Sequence, residues 1–154
     1  MSTIRVLLVD DHAVSVQGLK SLFAGEPDIE FVADAGDWWT ASNVANERLL
    51  DICIMDVSRP GFDGALATRR LRQVNPKIRV IALAEDNDLH RLERLLSSGI
   101  NAYILKRKAA IEIVPAVRAV MAVGFYLGEN RRFPRESITS VPPLENRSIT
   151  ESRI

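Results

Sequence analysis

The chemistry of this chain starts from a carboxylate at the end of an apolar run. In Asp51-Ile52-Cys53-Ile54-Met55-Asp56-Val57-Ser58-Arg59-Pro60-Gly61-Phe62-Asp63-Gly64, Asp56 closes four apolar residues, and a turn rich in Pro and Gly follows. Short apolar runs bounded by turn residues read as strands buried on both faces. In an open parallel sheet, ligands bind beyond the carboxyl ends of the strands. Asp56 is therefore expected at a mouth, although a lone strand-end acid serves as readily as a helix cap or a solvated loop residue. A second acidic site adds weight: the run Ile4-Arg5-Val6-Leu7-Leu8-Val9 leads straight into Asp10-Asp11. In the doubly wound order 2-1-3-4-5, the first and third strands are neighbours at the switch point. That order places Asp10, Asp11 and Asp56 in one crevice. Three carboxylates together are costly unless a cation neutralises them. Oxygen ligands without a His or Cys cluster suit Mg²⁺, which keeps several waters.

The elements that must position these acids alternate, strand then helix, five times. That argues for an α/β fold with a five-stranded parallel sheet and helices on both faces. Strands are expected over residues 4–9, 29–35, 52–55, 78–84 and 102–105. Helices are expected over about 14–24, 38–49, 65–74, 88–98 and within 109–123. The helical spacing places Val16, Leu19 and Phe23 inward on the first helix. It places Ala67, Leu71 and Val74 inward on the third, and Leu89, Leu92 and Leu96 on the fourth. Asp37 is positioned to cap the second helix, and Gly99 to stop the fourth. Trp38 and Trp39 are adjacent, so one ring is expected in the core and the other partly exposed. Pro115 falls inside the fifth helix, where proline costs roughly 3 kcal/mol, so a late start or a kink is expected. That helix also carries more apolar residues than one buried stripe needs: Ile111, Ile113, Val114, Val117, Val120 and Met121.

Bulk composition narrows the function classes. The chain has 154 residues and is 47% apolar, enough for one domain with a core plus a tail. Twenty Lys and Arg balance twenty Asp and Glu, so no net field draws it to nucleic acid or membrane. The single Cys53 lies mid-strand, as an inert thiol in a reducing cytoplasm would. The sequence shows no signal peptide and no run of about 18 apolar residues that would span a membrane.

Together, Val9-Asp10-Asp11-His12, Met55-Asp56-Val57-Ser58-Arg59-Pro60-Gly61-Phe62-Asp63-Gly64 and Tyr103-Ile104-Leu105-Lys106 resemble a bacterial two-component response-regulator receiver domain. Asp-Asp-His and Gly124-Phe125-Tyr126-Leu127 are similar to the receivers of LuxR-type (NarL-like) transcription regulators. The resemblance covers about residues 3–128 and implies the flavodoxin-like (βα)5 receiver fold. It implies that Asp56 accepts a phosphoryl group from a sensor histidine kinase. Asp11 and Asp56 would hold Mg²⁺ with the Ser58 backbone carbonyl, Asp10 acting through a metal-bound water. Lys106 would pair with Asp56 and then with a phosphoryl oxygen. Such a domain is a switch, not an enzyme. Its further partners would be a second copy, through helix five or the helix four–strand five–helix five surface, and DNA only through an output domain not in this chain.

Two residues depart from the family pattern. Where receivers end the fourth strand in Ser or Thr, this chain has Ala84, followed by Glu85 and Asp86, while the switch aromatic is kept as Tyr103. A small Ala84 leaves room for Tyr103 to sit inward without phosphate. Arg59 stands where the family often has Met and adds a charge at the rim. An alternative is therefore an interaction module with the receiver fold and phosphorylation-independent switching. A Mg²⁺ phosphohydrolase fits poorly, because Ser58 stands where a second acid is needed. A flavin-type carrier fits poorly too, because the first loop is acidic. From Glu129 onward, Arg131-Arg132, Pro134 and Pro142-Pro143 read as a linker. Domains are thus expected at 1–128 and 129–154. Ser148-Ile149-Thr150-Glu151-Ser152-Arg153 faintly resembles the opening of a helix-turn-helix, and no basic recognition helix is present.

Overall fold

Each apolar run becomes a strand, and each stretch between runs contributes a helix. The computed structural model describes residues 2–47 and 49–126. In chain order the elements are β1 (Ile4–Val9), α1 (Ala13–Leu22), β2 (Ile29–Ala35), α2 (Trp38–Glu47), β3 (Ile52–Asp56), α3 (Gly64–Val74), β4 (Arg79–Ala84), α4 (Leu89–Ser98), β5 (Ala102–Leu105) and α5 (Ala109–Val123). A single 3-10 turn, Lys106–Lys108, leads into α5. The sheet order is β2-β1-β3-β4-β5, with every pair parallel. This is the doubly wound α/β topology expected from the sequence.

Strand alternation divides the core into two layers. Leu7, Val9, Cys53, Met55, Val80 and Ala82 face one layer, shared with Ala41 of α2, Leu71 of α3 and Leu92 and Leu95 of α4. Val6, Leu8, Ile52, Ile54, Ile81 and Leu83 face the other, shared with Val16 and Leu19 of α1 and Val117 and Val120 of α5. Burying each large aliphatic side chain contributes roughly 1.5–3 kcal/mol, which holds the central strands in place. The mouth is then built on the stiffest part of the molecule. Burial pushes the Cys53 thiol well up, so it stays protonated and inert.

Helix ends are set by short polar contacts. The Asp37 carboxylate accepts from Thr40 N at 2.7 Å, and Asp63 accepts from Leu66 N at 3.1 Å. Asp88 accepts from His90 N at 3.0 Å and Arg91 N at 3.2 Å. Each such cap is worth about 1 kcal/mol. Gly99 ends α4 at φ +103°, a left-handed conformation that other residues rarely adopt. Gly64 opens α3 against Val57 so closely that an added Cβ would stand 2.7 Å from Val57 Cγ1. The loop carrying Ser58 and Arg59 is thereby pinned to α3.

Several expectations need correction. Val74 and Leu89 are exposed, and Leu95 takes the inward place on α4. Sequence spacing sets the helical period, but the packing partner sets which residues of a broad apolar arc face in. Around Pro115, α5 neither starts late nor breaks, running through from Ala109 to Val123. Pro115 and Ile111, four residues before it, lie on the solvent face, where water can satisfy the freed carbonyl. Of the surplus apolar residues on α5, Ile111 is exposed, while Val114 and Met121 pack at the edge of the core. Trp39 is exposed. The side chain of Trp38, the linker expected from residue 129 and the 148–153 stretch lie outside the described residues. Among the described residues, no helix is long and apolar enough to cross a membrane.

Candidate functional site

Strand register brings the polar residues together. Val9 stands opposite Met55, so Asp10 and Asp56 are the next residues on adjacent strands. Asp56 stands opposite Leu83, and Ala84 opposite Leu105, so Lys106 follows at the same edge. All four positions lie at the carboxyl ends of β1, β3, β4 and β5, where parallel sheets bind ligands.

Asp10 and Asp56 are buried, at 4% and 1% exposure. Their oxygens are held by backbone and by charge. His12 N donates to Asp10 Oδ1 at 2.9 Å, and Ser58 N donates to Asp56 Oδ1 at 3.0 Å. Lys106 Nζ donates to Asp56 Oδ2 at 2.5 Å and lies 3.4 Å from Glu85 Oε1. Burial works against the Lys106 ammonium, but the hydrogen bonds and charges of Asp56 and Glu85 outweigh it, and the pKa is raised. A charge-assisted pair of this length fixes Lys106 over the carboxylate.

Asp10, His12 and Asp56 each offer a ligand atom within 4.8 Å of the other two. Asp11 lies at the edge of this group, in contact with His12 and Arg59. His12 Nδ1 lies 3.0 Å from its Oδ1, and Arg59 Nη1 lies 3.4 Å from its Oδ2. The donor set fits a small divalent cation. Two buried carboxylates supply hard oxygens, and Lys106 offsets only part of their charge. His12 and the pairing of Arg59 were not legible as parts of the site. His12 entered only through a motif, and Arg59 carries no spacing signal that links it to Asp11.

The β4–β5 side differs. Ala84 is fully buried, and Ser58 Oγ accepts from Glu85 N at 2.7 Å just beyond it. Tyr103 lies inward at 2% exposure, its hydroxyl donating to the Asp86 carbonyl at 2.6 Å. Burial raises the Tyr103 pKa, with the nearby Arg91 acting the other way. The Asp86 carboxylate in turn pairs with Arg91 at 2.8 Å.

Comparison with known proteins follows this geometry. The sequence pattern of the response regulator receiver domain matches residues 6–118. The transcriptional regulatory protein DegU of Brevibacillus brevis is 32% identical over 124 residues, covering 80% of this chain and 52% of the relative. The transcriptional regulatory protein LiaR of Bacillus subtilis is 36% identical over 118 residues, covering 75% and 55%. The crystal structure of a LuxR-family two-component response regulator from Aurantimonas sp. matches with a TM-score of 0.78 at 28% identity, over 90% of this chain and 96% of that one. The chain spans about half the length of the curated relatives it matches.

Proposed function

We propose, for a chain that belongs to the response regulator receiver domain family and is of the LuxR/NarL type, that Asp56 is its phosphoryl acceptor. The observation that carries this reading is the buried Asp56 carboxylate at a strand end, clamped at 2.5 Å by Lys106 and flanked by Asp10. In the proposed reaction an Asp56 oxygen attacks phosphorus, the bond to the donor imidazole of a sensor histidine kinase breaks, and an acyl phosphate forms. Phosphoryl transfer depends on positioning and charge stabilisation more than on covalent help. Lys106 is placed to move from carboxylate to phosphoryl oxygen without leaving the mouth. Ser58 N holds the other oxygen and orients the attack. Asp10, Asp11, Asp56 and the Ser58 carbonyl would hold Mg²⁺, which supplies neutralisation of the phosphoryl charge when bound.

The same reading assigns residues 1–128 to the receiver and 129–154 to a linker towards an output domain. DNA would be reached only through that output domain, and the protein would work in the cytoplasm. It would act as a switch rather than as an enzyme. A second copy of the chain would dock on α5 or on the α4–β5–α5 face, where Ile111 and Val123 are exposed. A purely monomeric sedimentation profile, with and without phosphorylation, would remove that partner. The interaction-module alternative is not favoured by the relatives, whose names are those of regulators.

The experiment for Asp56 is labelling with acetyl phosphate and Mg²⁺, read by intact mass. Wild type should gain one phosphoryl group, and Asp56→Asn should gain none. Equal labelling of the two would reject the assignment.

A further inference from the structure

The mouth contains a cation that the proposed chemistry does not use. Arg59 lies in the loop between β3 and α3, with only 8% of its side chain exposed. Nη1 donates to the Gly36 carbonyl at 2.5 Å and lies 3.4 Å from Asp11 Oδ2. The guanidinium carbon stands 4.2 Å from the centroid of the Phe62 ring, a cation–π distance. Nε and Nη2 are buried and have no hydrogen-bond partner among the described residues. Buried, unsatisfied donors are costly. They are tolerated where an opposite charge and an aromatic face hold the group, as Asp11 and Phe62 do here. Gly36 brings the β2–α2 loop against the same acid: a Cβ added there would lie 3.7 Å from Asp11 Cβ. Arg59 thus ties three loops around Asp11.

We propose that Arg59 is an internal counter-cation for Asp11, and that it competes with Mg²⁺ and sets how tightly the acidic mouth binds it. The proposal rests on the metal reading above. Asp11 borders the group of Asp10, His12 and Asp56, 3.0 Å from His12 Nδ1 on one side and 3.4 Å from Arg59 Nη1 on the other, so Arg59 is the fixed cation in contact with it. To recruit Asp11, the metal must either draw its carboxylate off the guanidinium or bind beside a fixed positive charge. Both weaken binding, because like charges a few ångströms apart in a partly buried site repel strongly. The two unpartnered nitrogens, Nε and Nη2, carry three N–H donors that another acceptor could engage while Nη1 keeps its bond to Gly36.

The test is calorimetric titration of the full 154-residue chain with MgCl₂ at constant ionic strength, in wild type, Arg59→Met and Arg59→Lys. Met removes the charge while keeping an apolar stem on Phe62. Arg59→Met should bind Mg²⁺ more tightly, on the order of tenfold. Arg59→Lys, which keeps the charge, should stay near wild type. Equal or weaker binding by Arg59→Met overturns the proposal. So does a similar tightening by Arg59→Lys, which would point to loop packing rather than charge. If Arg59→Met does not fold, Arg59→Gln takes its place with the same expectation, and the rise in melting temperature on adding MgCl₂ gives a second readout. Absence of Mg²⁺ binding in every variant overturns both this proposal and the metal reading, whereas equal binding overturns this proposal alone. Phosphoryl labelling of Asp56 is scored separately from either result.

Discussion

The two halves of the mouth are held by different forces. On the β1–β3 side, Asp10, Asp11 and Asp56 are ringed by His12, Arg59, Lys106 and backbone N–H groups, so charge meets charge at nearly every step. On the β4–β5 side, a buried methyl group at Ala84 lies near an inward Tyr103, tied by a neutral hydrogen bond to the Asp86 carbonyl. The first half gathers the acids, Lys106 and Arg59 on which the proposed metal and phosphoryl chemistry would rest. The second half has packing where the family pattern has a hydroxyl. The contrast is that the acids and the lysine are kept on one side while the hydroxyl position on the other is Ala84. If Asp56 is phosphorylated as proposed, reaction and transmission should be separable here. A ligand shifts a two-state equilibrium only by its differential affinity for the two states. With no hydroxyl at Ala84, that difference should shrink.

The comparison is tested most severely at Lys106, which spans both halves. Lys106→Ala leaves Asp56 buried without its cation, and removing one partner of a buried pair costs 3–5 kcal/mol in a fully dry site. Lys106 is about a quarter exposed, so the expected loss is smaller, about 1–3 kcal/mol in urea unfolding. The raised Lys106 pKa adds a direction in pH. Its contribution is fully present below the ordinary value of 10.5 and is lost as pH rises above it, through the raised folded value. Wild type should lose stability over that alkaline range, and Lys106→Ala should lose less. Identical alkaline limbs would mean that the pair does not link the halves.

A second effect, of up to the same size but read only in the phosphoryl-mimic state, is expected from Ala84→Thr, which supplies a hydroxyl at that position. A hydrogen bond to a charged group is worth about 1.5–3 kcal/mol. NMR shift maps with and without beryllofluoride should show a modest wild-type response around α4 and β5, enlarged by Ala84→Thr. A large wild-type response centred on Tyr103, and not increased by the substitution, would show that the β4–β5 half transmits without the hydroxyl. The smallest effect should come from Tyr103→Phe, which removes the hydroxyl that donates to the Asp86 carbonyl and meets Arg91. A stability loss of about 1 kcal/mol is expected, with Asp56 labelling unchanged. Impaired labelling would tie the two halves more closely than their contacts indicate.

Much of this was legible in the chain. The runs 6–9 and 52–55 are apolar at successive positions, as strands buried on both faces are, and each leads into an acid. Asp37 was legible as a cap and Gly99 as a stop, because N-caps and left-handed C-caps are decided within a few residues. The inward face of α4 was less legible. Leu89, Leu92, Leu95 and Leu96 form an arc wider than the buried stripe, and packing against the sheet chose Leu95 over Leu89. The late start expected from Pro115 did not occur, because the cost of a helical proline depends on whether the freed carbonyl meets water.

By itself, then, the sequence determined the strand–helix alternation and the presence of acids at the ends of β1 and β3, while the strand order came from the family resemblance. The first two follow from local periodicity, which acts on any such chain. Tertiary structure alone decided that Asp11 meets Arg59, that His12 stands beside the buried acids, and that Tyr103 lies inward on Asp86. The physical reason is reach: a long side chain such as Arg59 contacts loops far away in sequence, and which acceptor it finds depends on where packing has set the backbone.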